Sequence, residues 1–244
     1  MYSVILASGF ATRLHPLTKE QSKALLPVNG EPLLSHVVKM IPREIPVIVT
    51  TNKVFEQDFI TWSKNSPRAV TLEVEDIWSI KDCPGPIGSL ERVIRKWKIK
   101  EPILVLACDN YFTQSLSDFI SHFDGENTLI GACYVDDLEE ASWHGIPSLG
   151  PESRVYYFAE KPIPSPDILV SPMCYIFPTS VLPLISNKDL LSRAPEGKMP
   201  RAGDFIAYLV DNMKPVYAYH FEENWKHLTS IKSYYNMKGG EQKR

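Results

Sequence analysis

The sequence predicts an α/β fold in which a mostly parallel sheet carries helices on both faces, and three observations lead there. Its 244 residues with 44% apolar composition are enough for one sizeable core. Through residue 135, short apolar or β-branched runs of strand length alternate with segments of helical spacing, the pattern of strands joined by crossover helices. After about residue 136 the alternation breaks into shorter strands and a proline-rich connection, which reads as a lid-like C-terminal elaboration of the same sheet.

The first-half strands are SVILA (3–7), PVIVTT (46–51), VTLEVEDI (70–77), ILVLAC (103–108) and TLIGACYV (128–135). Between them, Leu33, Leu34, Val37, Val38 and Ile41 recur at helical spacing, as do Phe55, Phe59 and Trp62. Ile87, Leu90, Ile94 and Trp97 form a third such stripe, and Leu116, Phe119, Ile120 and Phe123 a fourth. In the second half, VYYFAE (155–160) and MCYIF (173–177) read as strands joined by KPIPSPD (161–167). A helix is expected over 204–213, a strand over 216–221 and a last helix over 230–237. The tail, 239–244, is polar and opens with two glycines. We therefore expect one domain over 1–238, its halves meeting near residue 135.

A formal net charge of −3 lacks the basic excess of a protein that neutralises a nucleic-acid backbone, so a small-molecule partner is the expectation. Cys83, Cys108, Cys133 and Cys174 stand far apart without a C-x-x-C pair, and we expect reduced, mostly buried thiols. No apolar stretch reaches the roughly 20 residues of a membrane span, and no leader pattern opens the chain. A cytoplasmic protein without membrane partners is expected; self-association into a homo-oligomer is left open.

The stretch VILASGFATRLHPLTKEQSK (4–23) carries the densest chemistry. The loop after the first strand of an open parallel sheet is the usual place for a phosphate, and Gly9 there allows close backbone approach while Arg13 and Lys23 supply charge. The G-x-x-x-x-G-K-S/T phosphate loop is absent. The dinucleotide fingerprint also fails, because Ala11 and Leu14 replace its glycines and the second strand ends in Thr50, Thr51 and Asn52 without a carboxylate. On this pattern alone, a plain turn at Gly9 with Arg13 on a solvated face competes with anion binding.

The longer run resembles the N-terminal signature of the sugar-phosphate nucleotidyltransferase (nucleotide-sugar pyrophosphorylase) family, L-A-x-G-x-G-T-R-L-x-P-L-T followed by a lysine and L-L-P-V. Leu6, Ala7, Gly9, Thr12, Arg13, Leu14, Pro16, Leu17, Thr18, Lys23, Leu25, Leu26, Pro27 and Val28 carry the match. DCPGPIGSLERVI resembles the base-binding loop and its helix, with Gly85 and Gly88. ILVLACDNYF resembles the strand ending in G-D-N, with Cys108 at the glycine and Asp109 at the metal position. WHGIPSLGPESRVYYFAEKP resembles the sugar-side segment through Gly145, Val155, Phe158, Glu160, Lys161 and Pro162, and MCYIF keeps Tyr175.

The resemblance implies a Rossmann-like fold of the nucleotide-diphospho-sugar transferase type, with a nucleotide-binding half (1–135) and a sugar-phosphate-binding half (136–238). It implies transfer of a nucleotidyl group from a nucleoside triphosphate to a sugar 1-phosphate with Mg2+ or Mn2+. By resemblance Leu6, Ala7, Gly9, Thr12, Arg13, Lys23, Gly85, Gly88 and Asp109 bind nucleotide, and Gly145, Glu160, Lys161 and Tyr175 bind sugar phosphate. Arg13 would take the leaving pyrophosphate, Lys23 the α-phosphate and Asp109 the metal.

The family's second metal carboxylate comes in W-x-D-x-G-T; here the text is NWKHLTS, with His227 at the aspartate. Magnesium prefers oxygen and imidazole suits softer ions. A metal held by Asp109 and the substrate phosphates alone, His227 as a ligand, a histidine that merely packs, and a rescue by Asp204 or Glu223 all stand at this point. So do a cytidylyltransferase for a non-sugar phosphate such as phosphocholine and a regulatory protein that only binds nucleotide sugars. Two local expectations remain. Ala11, where relatives carry glycine, should take an ordinary negative φ, and Trp78, Trp97 and Trp225 should be core.

Overall fold

The apolar runs of the first half fold as strands within a residue or two of where the sequence places them. The structure, a computed structural model, describes residues 1–135, 137–160, 168–194, 199–222 and 225–239. Its strands are β1 (Tyr2–Leu6), β2 (Pro27–Val28), β3 (Glu31–Pro32), β4 (Val47–Asn52), β5 (Thr71–Glu75), β6 (Ile103–Ala107), β7 (Asn110–Phe112), β8 (Thr128–Val135), β9 (Gly145–Leu149), β10 (Val155–Glu160), β11 (Ile168–Val170), β12 (Cys174–Phe177), β13 (Val216–His220) and β14 (Trp225–His227). The α-helices are α1 (Leu33–Met40), α2 (Glu56–Lys64), α3 (Gly85–Trp97), α4 (Ser117–Ser121), α5 (Leu138–Ala141), α6 (Lys188–Leu191), α7 (Ala202–Asp211) and α8 (Ile231–Gly239).

The central sheet runs β11-β8-β12-β6-β1-β4-β5, with β13 parallel to β8 at its far side. Strands β6, β1, β4 and β5 are mutually parallel, whereas β12 is inserted antiparallel between β6 and β8. The second half of the chain thus extends the sheet of the first. Side chains alternate across it. Val4, Ile48, Ile103 and Val105 pack with α3 and α7 on one face. Ile5, Val47, Val49, Leu104 and Leu106 pack with α1 and α2 on the other. With both faces covered, these strands can be apolar at every position, which is why they read as unbroken runs.

The chain leaves β1 toward β4 and β5 on one side and returns to β6 on the other, so the order reverses at β1 and β6. Ligands in open α/β sheets lie outside the carboxyl ends of the strands at such a point. A separate cluster of Leu14, Leu26, Val28, Leu33, Leu228, Tyr234 and Met237 ties α8 to the opening loops. Leu14, Leu26 and Val28 of the N-terminal signature are therefore anchors of the loop.

Several expectations need correction. Ala11 takes φ +48° and ψ +45°, in the left-handed region, and begins the single 3-10 turn Thr12–Leu14. The turn explains this, since Leu14 N–H donates to the Ala11 carbonyl at 2.9 Å and Thr18 Oγ1 donates to the same oxygen at 2.8 Å. Trp78 and Trp97 are not core: they are 64% and 42% exposed, each indole N–H donating to a carboxylate, Asp76 and Glu73 respectively. Trp225 is half-buried. Strands β9 and β11 went unforeseen. Pro147 disguises the first, which among the described residues has its ladder with β10 and a single bridge, Gly145 to Ser171, away from the proline; the second has three residues. The helix expected over 204–213 begins two residues earlier, with Arg201 at its N-cap and the Asp204 carboxylate, in the first turn, accepting from the Arg201 backbone N–H. Cys108, Cys133 and Cys174 are buried free thiols and Cys83 is half-buried, as expected. Among the described residues no helix is long and apolar enough to cross a membrane.

Candidate active site

At the carboxyl ends of β1 and β6 lies a cavity of about 420 Å³, and both halves of the chain line it. From the first half come Thr12, Arg13, Lys23 and Asp109; from the second come Gly145, Glu160, Tyr175 and His227. These are eight of the residues singled out in the sequence. Leu6, Ala7, Gly9, Gly85 and Gly88 do not line it. Ala7 is buried with its N–H on Thr50 Oγ1 at 3.0 Å, and Gly88 packs inside α3, where a methyl group would meet Pro84 Cβ at 2.6 Å. Gly85 opens α3 at φ +71°, a conformation that favours glycine. Lys161 and Glu223 lie outside the described residues.

Asp109 follows β6 directly, and the next residues enter β7, which pairs antiparallel with β14 so that His227 stands opposite Asn110. The pairing brings a residue from near the C-terminus onto the Asp109 carboxylate. His227 Nε2 lies 3.1 Å from Oδ2, and Lys23 Nζ donates to the same oxygen at 2.5 Å. A carboxylate only accepts, so Nε2 of His227 carries a proton; in neutral His227, Nδ1 then accepts from Nε2–H of His144, 3.0 Å away. Asn110 locks the pairing, its amide donating to the Met173 carbonyl at 3.0 Å and accepting from the Trp225 indole at 2.9 Å.

Burial alone would push the Asp109 carboxyl up, but Lys23 and His227 outweigh it and hold it well below the ordinary aspartate value. Burial opposes charge on Lys23 likewise, and the Asp109 carboxylate more than offsets that, leaving its pKa raised. Both groups are ionised across the neutral range. Burial drives the neighbouring Cys108 thiol up to about 12, so it is no nucleophile.

Asp109 Oδ1 is buried and, among the described residues, has no hydrogen-bond partner. An orphaned carboxylate oxygen beside a polar cavity is a ready ligand for a hard cation. It is one ligand only: among the described residues no group of three or more His, Cys, Asp or Glu could hold a metal ion. Asp204 does not fill in, being bonded to Arg201, and His227 has turned its Nε2 onto the carboxylate.

On the other side of the cavity, β9 and β10 pair so that Gly145 faces Glu160. The Glu160 carboxylate rests on Gly203, at the start of α7, where a methyl group would overlap it and lie 2.7 Å from Cδ. Arg201, just before α7, reaches Glu160 Oε1 at 3.8 Å. Arg201, Trp143 and His144 line the cavity without having been singled out in the sequence. Arg201 had a readable signal, a cation immediately before a glycine-containing helix start. His144 and Trp143 had none, because their partners are distant in the chain.

Fold and cavity together define a class: an α/β protein whose cavity, at the reversal of a parallel sheet, sets three cations against two carboxylates among the described residues, drawn from both halves. Residues 2–243 match the profile of the nucleotidyl transferase family, and the chain belongs to that family. It is 29% identical to a bifunctional protein GlmU of Methanococcus maripaludis over 163 residues, 66% of this chain and 36% of that protein. It is 28% identical to a mannose-1-phosphate guanyltransferase of Hypocrea jecorina over 193 residues, 75% of this chain and 50% of that one. The chain thus spans about a third to a half of the length of these relatives. A Bacillus anthracis structure described as a glucose-1-phosphate thymidylyltransferase, in complex with sucrose, superposes with a TM-score of 0.81 at 20% identity, covering 98% of this chain and 94% of that chain. That likeness is one of fold.

Proposed function

We propose that the chain is a sugar-1-phosphate nucleotidyltransferase. The observation that carries the proposal is the meeting of Arg13, Lys23 and Asp109 with Gly145, Glu160 and Tyr175 around one cavity. In the reaction, a phosphate oxygen of the sugar 1-phosphate attacks the α-phosphorus of a nucleoside triphosphate. The bond from that phosphorus to the bridging oxygen breaks, and pyrophosphate leaves with the electron pair. Little acid-base chemistry is needed; positioning two polyanions and stabilising the departing charge dominate.

Each residue has a place in that scheme. Lys23, held ionised by Asp109, faces the α-phosphate, and Arg13 takes the leaving pyrophosphate. Glu160 accepts from sugar hydroxyls, with Tyr175 and Gly145 shaping that end. Arg201 and Lys161 are the cations assigned to the sugar phosphate. Mg2+ or Mn2+ fits Asp109 Oδ1 as one protein ligand, with phosphate oxygens and water supplying the rest, and its charge would neutralise the phosphates. His227 serves that site as the hydrogen-bond donor that orients Asp109.

The test is pyrophosphate release from a panel of nucleoside triphosphates and sugar 1-phosphates with Mg2+ or Mn2+. Turnover with phosphocholine or a polyol phosphate, and none with sugar phosphates, would move the acceptor outside the sugars. The histidine at the second metal position favours one competing reading, a protein that binds nucleotide sugars without making them. Tight nucleotide-sugar binding with no turnover of any pair would establish that reading instead.

A further inference from the structure

Arg13 has five N–H donors, yet among the described residues it meets no carboxylate or carbonyl. Its partner is the ring of Trp143, with Cζ 3.9 Å from the ring centroid. We propose that Trp143 is the positioning residue for Arg13: the indole fixes the guanidinium by stacking and leaves its hydrogen-bonding edges turned to the cavity for the pyrophosphate of the bound triphosphate. The inference rests on the nucleotidyl-transfer reading and goes beyond it, because it explains how the anion-binding arginine is held.

The choice of partner matters chemically. A carboxylate would hold the guanidinium by the same N–H groups that a phosphate needs, and anion binding would first have to break that pair. An aromatic face attracts the cation through its quadrupole and makes no claim on the donors in the guanidinium plane. The stack also rules against Trp143 as a platform for the base on that face, since Arg13 covers it.

Trp143 can do this because its own position is fixed. It lies between α5 and β9, and the two residues after it are tied down. His144 is 5% exposed and bonds to His227 at 3.0 Å. Gly145 enters β9 opposite Glu160, and its carbonyl accepts from Ser171 N–H at 2.8 Å. Arg13 sits on the single turn Thr12–Leu14, with Leu14 buried beneath it. Two anchored backbones therefore present ring and guanidinium to each other across the cavity that both line.

The experiment measures binding of inorganic pyrophosphate, by calorimetry, to wild type, Trp143→Ala, Trp143→Tyr, Arg13→Ala and the double alanine variant. Trp143→Ala is expected to weaken pyrophosphate about tenfold, through loss of the cation-aromatic contact. Trp143→Tyr, which keeps an aromatic face, should recover most of that loss. In the Arg13→Ala background Trp143→Ala should cost nothing further, and the KM for sugar 1-phosphate should stay within about twofold throughout. Pyrophosphate should also change the tryptophan emission of the wild type and leave that of Trp143→Tyr unchanged. Wild-type affinity in Trp143→Ala, an equal loss in the Arg13→Ala background, or a parallel rise in the sugar-phosphate KM would overturn the proposal. Pyrophosphate binding that follows this pattern in a protein that turns over no substrate pair would sink the transferase reading and leave the stack standing.

Discussion

Removing the Asp109 carboxylate strands a charge, and the cost can be bounded. The Lys23 side chain is 18% exposed, and in Asp109→Ala its ammonium keeps only the Leu228 carbonyl, 3.4 Å away. Breaking such a pair from one side costs about 3 to 5 kcal/mol. Lys23 can escape that cost by shedding its proton. Each pH unit below the ordinary lysine value of about 10.4 adds about 1.4 kcal/mol to doing so, which sets a ceiling of about 4 kcal/mol near pH 7.5 and about 1 kcal/mol near pH 9.5. For 244 residues, about 2 °C per kcal/mol converts these into melting-temperature deficits of about 6 to 8 °C and about 2 °C. In the wild type the raised Lys23 pKa stabilises below the ordinary lysine value and is lost only as pH rises through the folded value. The lowered Asp109 pKa stabilises above the ordinary aspartate value and is lost as pH falls through the folded value. Between them the pair is insensitive to pH, so the convergence of the two proteins belongs to the variant. Thermal unfolding in chelator, at both pH values, measures it, and Lys23→Met in the Asp109→Ala background should restore most of the loss near pH 7.5. A deficit equal at both pH values, or no recovery in the double variant, would refute the reasoning.

Gly203→Ala should push the Glu160 carboxylate off its seat and raise the KM for sugar 1-phosphate about tenfold while the nucleotide KM stays within about twofold; steady-state kinetics with each substrate varied would show it. His227→Asp should place a second carboxylate beside Asp109, and Mn2+ titrated by electron paramagnetic resonance without substrate should bind about tenfold tighter; unchanged affinity would count against a single-carboxylate site. Ala11→Gly relieves a left-handed alanine but frees the unfolded chain, so stability should rise by no more than about 1 kcal/mol with near-normal nucleotide affinity, whereas Ala11→Val should lose stability by thermal unfolding.

What could be read from the sequence was whatever is decided locally. ILVLAC had to be a covered strand, and a strand of that kind puts the residue after it, Asp109, at the ligand edge of the sheet. The long N-terminal match singled out Arg13 and Lys23, and both line the cavity. Ala11 was misread because the backbone there obeys the turn that carries Arg13, and alanine's preference for negative φ is the weaker demand. The exposure of Trp78 and Trp97 was missed because an indole whose N–H finds a carboxylate can lie on the surface, and composition cannot show that partner. Trp143 and His144 were invisible for a third reason. Their meaning comes from Arg13 and His227, which only the folding of β9 and β14 against the opening loops brings near them.

If His227 stands where the resembling motif carries a carboxylate, as the proposed function takes it, the electrostatics of the site differ in two directions at once. On the proposed reading there is one acceptor fewer for a hard cation, and among the described residues lining the cavity Asp109 Oδ1 is the buried side-chain oxygen without a hydrogen-bond partner. There is one negative charge fewer as well, in a cavity where, among the described residues, Arg13, Lys23 and Arg201 outnumber Asp109 and Glu160. A polyanion entering it is therefore met by a more positive field than two aspartates would leave, and less of the neutralisation of its phosphates falls to a metal ion. Such a site should bind free metal weakly and acquire it with the nucleotide, whose phosphates bring the missing ligands. His227 and His144 hold the remaining carboxylate in place, and Trp143, the residue beside them, holds the arginine.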